Sequence, residues 1–197
     1  MNDGSGRFVV LVGPDGVGKT TLARQLIDDH GPPTLYVHFR PSLWQSPPPG
    51  PREGNVAPPK RTDPGHPVVG WLRLAHSVVL FWLGYWRWIK PMVSRRGLVI
   101  GDRWGYGYVG QPNALGYAGP GWLARWAVRL LPKPDLLIRL RGSPSVVAMR
   151  KADLTEDAVF QEDRAWDTLP LPTWELDAGQ EAAALANLVA ARMKHGE

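Results

Sequence analysis

The chain has 197 residues, a length that suits one domain with its own buried core, and no cysteine, which excludes disulfide frameworks, thiolate metal sites and cysteine nucleophiles. A net charge of +5 and a pI near 9.7 suit a protein that handles phosphates, but no basic run interleaved with stacking aromatics marks a nucleic-acid module. Met1 to Arg7 lack the basic start and apolar stretch of a secretory signal, so cytoplasm is the expected location.

Phe8 to Val12 is a short, wholly apolar run ending at a glycine turn, the pattern of a central parallel strand buried on both faces. Leu22, Leu26 and Ile27 then give one apolar helical face from Lys19 to about Asp29, which Gly31-Pro32-Pro33 stops. Thr34 to Phe39 reads as a second strand. Residues 41–67 are dense in proline and glycine and show no helical or strand period, so they read as a long loop that is either a lid or disordered.

Val68 to Met92 is strongly apolar, yet Arg73, His76, Arg87 and Lys90 interrupt it. The uncharged stretch Leu74 to Trp86 is too short to cross a bilayer, which predicts a buried helix and no transmembrane span, and leaves peripheral membrane contact open. Leu98 to Ile100 reads as a third strand, Trp122 to Leu131 as a helix, and Leu136 to Ile138 as a fourth strand. Pro144 starts another helix, Thr155 to about Trp166 is a charged helix, Pro172 to Leu176 a fifth strand, and Gln180 to about Met193 a closing helix. Strands alternating with helices predict an α/β fold, a doubly wound parallel sheet of five strands flanked by helices.

Gly13-Pro14-Asp15-Gly16-Val17-Gly18-Lys19-Thr20 has the spacing Gly-x-x-x-x-Gly-Lys-Thr, directly after a strand and opening a helix, the context that supports a phosphate-binding loop. Gly13, Gly16 and Gly18 let the backbone curl so that its N–H groups face phosphate oxygens, and the helix N-terminus adds partial positive charge. Lys19 is expected to reach the β- and γ-phosphates of ATP, Thr20 to ligate Mg²⁺, and Thr21 to contact the nucleotide. GTPase switches and motor ATPases share this loop, but no Asn-Lys-x-Asp motif for reading guanine occurs.

Asp15-Gly16 inside the loop, Ile89-Lys90-Pro91, the segment Gly97-Leu98-Val99-Ile100-Gly101-Asp102-Arg103-Trp104, Pro134 to Ile138 and Leu176-Asp177-Ala178 follow one another in an order that resembles the thymidylate kinase branch of nucleoside-monophosphate kinases. The resemblance covers most of the chain and implies a three-layer P-loop kinase fold with a lid at about 150–166. It also implies that Asp15 contacts the acceptor, that Arg40 contacts the acceptor's phosphate, and that Asp102 and Arg103 stand between acceptor and metal; there Asp102, named with Thr20 for the metal, could hold it through water, position the attacking oxygen or accept its proton, or only cap the strand or pair with Arg103. Arg150 and Arg164 would be lid cations that close over the phosphates, with Arg150 catalytic; such cations offset transition-state charge.

The departures from that family concern the acceptor. Leu80-Phe81 stand in ungapped register where a helical Asp-Arg pair would grip a monophosphate, Gly105 to Tyr108 replace polar residues, Gln111 falls one residue short of the family's glutamine, and Arg141 occupies the strand-four aspartate position. An apolar acceptor wall drawn from Trp82, Trp86, Trp104, Tyr106 and Tyr108 is the corresponding expectation, with Trp82, Trp104 and Tyr106 in contact with substrate. Of the histidines, His38 is the candidate for a test.

The expected function is transfer of the γ-phosphoryl group of ATP to a small-molecule acceptor such as a nucleotide, a sugar phosphate or a specialised metabolite. The alternative is a nucleotide-binding regulatory or assembly ATPase that has lost its acceptor pocket. The tryptophan-rich helices leave a homodimer face open as well.

Overall fold

A computed structural model describes residues 6–51, 67–149 and 155–195. Five strands, β1 (Arg7–Val12), β2 (Thr34–His38), β3 (Leu98–Asp102), β4 (Leu136–Arg141) and β5 (Trp174–Asp177), form one parallel sheet in the order β2-β3-β1-β4-β5. Arg7 pairs with Leu98 and Leu11 with Asp102, so the first and third strands end level with each other, and the chain leaves both at the same edge.

The apolar run of β1 serves two cores at once. Phe8, Val10 and Val12 face a layer built by α2 (Pro67–Gly84), α5 (Gly121–Arg129) and the aromatic segment between β3 and α5; Val9 and Leu11 face α1 (Lys19–His30) and α8 (Ala182–His195). This double burial is why the strand reads as a continuous apolar run instead of an alternation. Helix α7 (Glu156–Asp167) begins on a Thr155 cap whose side chain accepts from the Ala158 N–H at 3.2 Å, with Glu156 and Asp157 in the first turn where the helix dipole favours acids.

Three elements differ from expectation. The long apolar helix is one rod in three pieces: α2, a π-helical stretch at Tyr85–Ile89, and α3 (Lys90–Ser94). The wide stretch lies where the rod meets the start of the proline-rich loop: Pro41 packs on Gly84, and Trp88 Nε1 donates to Ser42 O at 2.7 Å. The described part of that loop covers the outer edge of β2, where Pro48 O accepts from the Tyr36 N–H at 2.7 Å and Pro49 O from the Thr34 hydroxyl at 2.8 Å, so a sheet edge gains a backbone cover. Residues 52–66, with His66, lie outside the described part. Between β3 and α5 the chain forms short turns of helix at Trp104–Tyr106, α4 (Gly107–Gly110) and Asn113–Leu115, too short to leave a period in the sequence. The remaining helix, α6 (Pro144–Met149), follows β4.

Gly110 shows how close α4 lies to α7: a Cβ there would meet the Trp166 ring at 2.1 Å. Gly110→Ala is expected to lower stability by about 1–3 kcal/mol through overpacking, read as a lower midpoint in urea. An unchanged midpoint would refute that contact.

Candidate active site

The loop after β1 curls over the end of the sheet, with positive φ at Gly13 (135°), Gly16 (81°) and Gly18 (108°). Gly13 is required twice over, since a Cβ there would also meet Leu140 O at 2.4 Å. Lys19, only 5% exposed, folds back into the curl and donates to Gly13 O at 2.8 Å and Pro14 O at 2.6 Å. Thr20 and Thr21 stand exposed on the first turn of α1.

Asp102 closes β3 at the level of His38 on β2. One of its carboxylate oxygens, Oδ2, accepts from the Tyr36 hydroxyl at 2.7 Å and pairs with His38 Nδ1 at 3.0 Å, while the other, Oδ1, is buried with no hydrogen-bond partner. Burial, first of all, and then the neighbouring Asp102 push the Tyr36 phenol up, and Thr20 lies close enough to oppose them. A carboxylate oxygen left bare next to the threonine of a phosphate loop is the donor set that a hard cation with a mostly aqueous shell requires.

Burial alone would push the Asp102 carboxyl up; the bond to His38, the Lys19 cation and the Tyr36 hydroxyl outweigh it and hold the carboxyl below its ordinary range. The folded carboxyl therefore loses its proton at lower pH than the unfolded one. The stability it contributes is present above about pH 4 and is lost as pH falls through the depressed value. Asp102→Asn is expected to flatten this acid limb in urea melts taken from neutral to strongly acidic pH; an unchanged limb would show that Asp102 does not carry it.

Just past β3, Arg103 (φ 62°) and Trp104 (φ 46°) both take the left-handed conformation, which costs non-glycine residues about 1–3 kcal/mol each and is held here by the Arg103 N–H bond to Leu11 O at 2.8 Å. The reversal sends the two side chains opposite ways. Arg103 turns to the phosphate loop, pairs with Asp15 and lies over the Phe39 ring at 5.1 Å; burial pushes its guanidinium down to about 10. Trp104 turns into the core between Phe8 and Phe81 and is 0% exposed, as is Tyr106.

This corrects the expected aromatic acceptor wall. Trp104 and Tyr106 are core, Tyr108 is buried with its hydroxyl on Ser77 at 2.7 Å, and Trp82 and Trp86 lie on the outer surface, Trp82 bonded to Leu130 O at 2.8 Å. The side chains that gather at Asp15 are polar instead. Gln111 Nε2 donates to Asp15 Oδ1 at 3.1 Å and also to Glu162, and Glu162 Oε1 accepts from the Asp15 N–H at 3.1 Å. Burial pushes the Glu162 carboxyl up despite the opposing pull of Lys19, Gln111 and Arg103.

The lid expectation divides. Arg150 lies outside the described residues. The described part, α7, turns Glu162 toward the loop and leaves Arg164 exposed, its guanidinium 5.6 Å from the Phe160 ring centre, so Arg164 is not brought to the phosphate loop. Arg40 is likewise exposed, two residues beyond β2. Helix α7 is held down by Arg139 of β4, buried and bonded to Asp163, Asp167 and Glu175. Glu162 and Arg139 were missed, although Val159, Glu162, Asp163 and Trp166 follow the spacing of one helix face and mark Glu162 as inward-pointing.

On the other side of the loop a cleft of about 360 Å³ runs from Gly16, Gly18 and Thr21 to Ala178 and Gln180.

No family model matches the chain, and no curated protein matches it in sequence. Among solved structures the thymidylate kinase of Candida albicans, described as having broad substrate specificity, is similar at a TM-score of 0.67 and 15% identity, over 97% of this chain and 94% of that one. The fold is thus that of a P-loop kinase, like thymidylate kinase, reached with little shared sequence.

Proposed function

We propose that this chain is an ATP-dependent phosphotransferase acting on a small-molecule acceptor through a pocket altered from that of thymidylate kinases. The observation that carries the reading is the meeting, at Asp15, of the phosphate loop with a second polar cluster, Arg103, Gln111 and Glu162. A nucleotide switch needs only the loop; a kinase needs a place for the acceptor beside it.

Lys19 and the loop N–H groups would hold the donor's phosphates, the cleft beside Thr21 its nucleoside, and Thr20 with the bare Asp102 oxygen would hold Mg²⁺. Mg²⁺, when bound, neutralises charge on the transferred group. Arg103 orients Asp15 and supplies fixed positive charge, and Asp15 and Gln111 offer an acceptor and a donor for a hydroxyl-bearing or amide-bearing substrate. This polar lining favours a nucleotide, sugar phosphate or similarly hydroxylated metabolite.

Release of ADP in the presence of Mg²⁺, screened against nucleoside monophosphates, nucleosides and sugar phosphates, tests the reading. At least one acceptor is expected to raise ADP release well above hydrolysis by water. If none does, the regulatory ATPase stands in its place.

A further inference from the structure

Outside the site, one surface of the molecule is apolar, aromatic and basic at the same time. Along the α2 rod Val68, Leu72, Val79, Leu83 and Trp86 are exposed at helical spacing, and so are Trp122 and Trp126 on α5 and Leu130 just past its end. Trp86 and Trp126 are each 54% exposed. The two stripes meet where Trp82 Nε1 bonds to Leu130 O.

Exposed apolar stripes of this extent mark an interaction surface. Charge decides which kind. Asp102, buried in the active site, is the single acidic residue between Pro64 and Pro134. The cations Arg87 and Lys90 are exposed on the rod, with Arg87 4.0 Å from the Trp88 ring centre and Lys90 3.9 Å from that of Trp86, and Arg125 and Arg129 lie on α5. A two-fold dimer through this surface would set cations against cations, and among the described residues between 67 and 134 the one carboxylate, Asp102, is buried away from it. Tryptophans beside snorkelling lysines and arginines are instead the composition that settles at the headgroup level of a bilayer.

We infer that the α2–α5 face is a docking surface for an anionic membrane, lying on the bilayer without crossing it. Val68–Ser94 is long and apolar enough to span a bilayer, but its other side is committed to the protein: Leu74, Phe81 and Ile89 are core, and Ser77 bonds to Tyr108. Docked, the face puts Trp86 and Trp126 among the acyl boundary and the basic side chains among acidic headgroups.

The test is co-sedimentation of the full chain with vesicles of phosphatidylcholine alone or mixed with phosphatidylglycerol, with tryptophan quenching by brominated lipid. Binding is expected to the mixed vesicles only, to weaken at high salt, and to show quenching. Arg87→Gln with Lys90→Gln is expected to weaken binding roughly 30-fold, at about fivefold per cation removed. The double variant Trp86→Ser with Trp126→Ser should show markedly less quenching, the remainder coming from Trp82 and Trp122 on the same face, while keeping the wild-type circular dichroism spectrum. No sedimentation with mixed vesicles, equal binding to neutral ones, or a dimer at sedimentation equilibrium that excludes lipid would each overturn the inference.

Discussion

Lys19→Ala is expected to reduce ATP turnover by about 10³-fold while the protein remains folded. The ammonium group sits inside the curl of the phosphate loop, held at 2.8 and 2.6 Å by the carbonyls of Gly13 and Pro14, so its position is set before any phosphate arrives. A cation fixed in a site of low water content acts on developing negative charge without having to reorganise, and this is where electrostatic stabilisation is largest. Stability should fall as well, because Gly13 and Pro14 are buried and each carbonyl left unpaired costs about 1–3 kcal/mol. ADP release and urea unfolding, measured on the same preparation, separate the two effects. Turnover within about tenfold of wild type would remove Lys19 from the reaction.

The second large effect falls on the fold. Arg139→Met is expected to cost about 3 kcal/mol, a drop in melting temperature of about 6–12 °C for a chain of this size. Arg139 is 3% exposed, on a strand whose other buried side chains are apolar, and it bonds to Asp163 Oδ1 at 2.9 Å, to Asp163 O at 2.7 Å, to Asp167 at 2.7 Å and to Glu175 at 3.4 Å. Removing the whole network in favour of apolar side chains could be nearly neutral; removing only its cation leaves three carboxylates facing one another. Arg141, bonded to Asp163 at 3.0 Å and Glu175 at 3.3 Å, shares those partners but is far more exposed and compensates only in part. A double-mutant cycle with Asp163→Asn should return a coupling of about 1–3 kcal/mol. Additive losses would mean that the Arg139–Asp163 pair does not hold α7 down. Because α7 also carries Glu162, the Arg139 variant is expected to raise the KM for acceptor as well.

The loop, the five strands and most helices were legible because each rests on a local rule. A glycine spacing before a lysine and threonine specifies a phosphate cradle, and a short apolar run between helices specifies a strand buried on both faces. Asp102, which closes β3, and Arg103, which follows it, were placed by the strand's C-terminal end, where ligands gather in a parallel sheet. The aromatic residues were misjudged for a reason equally physical. Composition counts tryptophans, but a left-handed φ at Arg103 and Trp104 decides that the arginine faces the loop and the tryptophan the core, and no local pattern announces that turn.

By itself, then, the sequence determined the class of fold, the glycine-rich curl between β1 and α1, and the acid-free stretch from Pro64 to Pro134 that Asp102 alone interrupts, since these depend on residue type and spacing. Only the tertiary structure decided what surrounds Asp15. Gln111 and Glu162 stand 96 and 147 positions from it along the chain, and strand order with helix docking, not any neighbouring residue, brings them there. The same packing selected which side of the α2 rod was buried, and so which tryptophans were left outside.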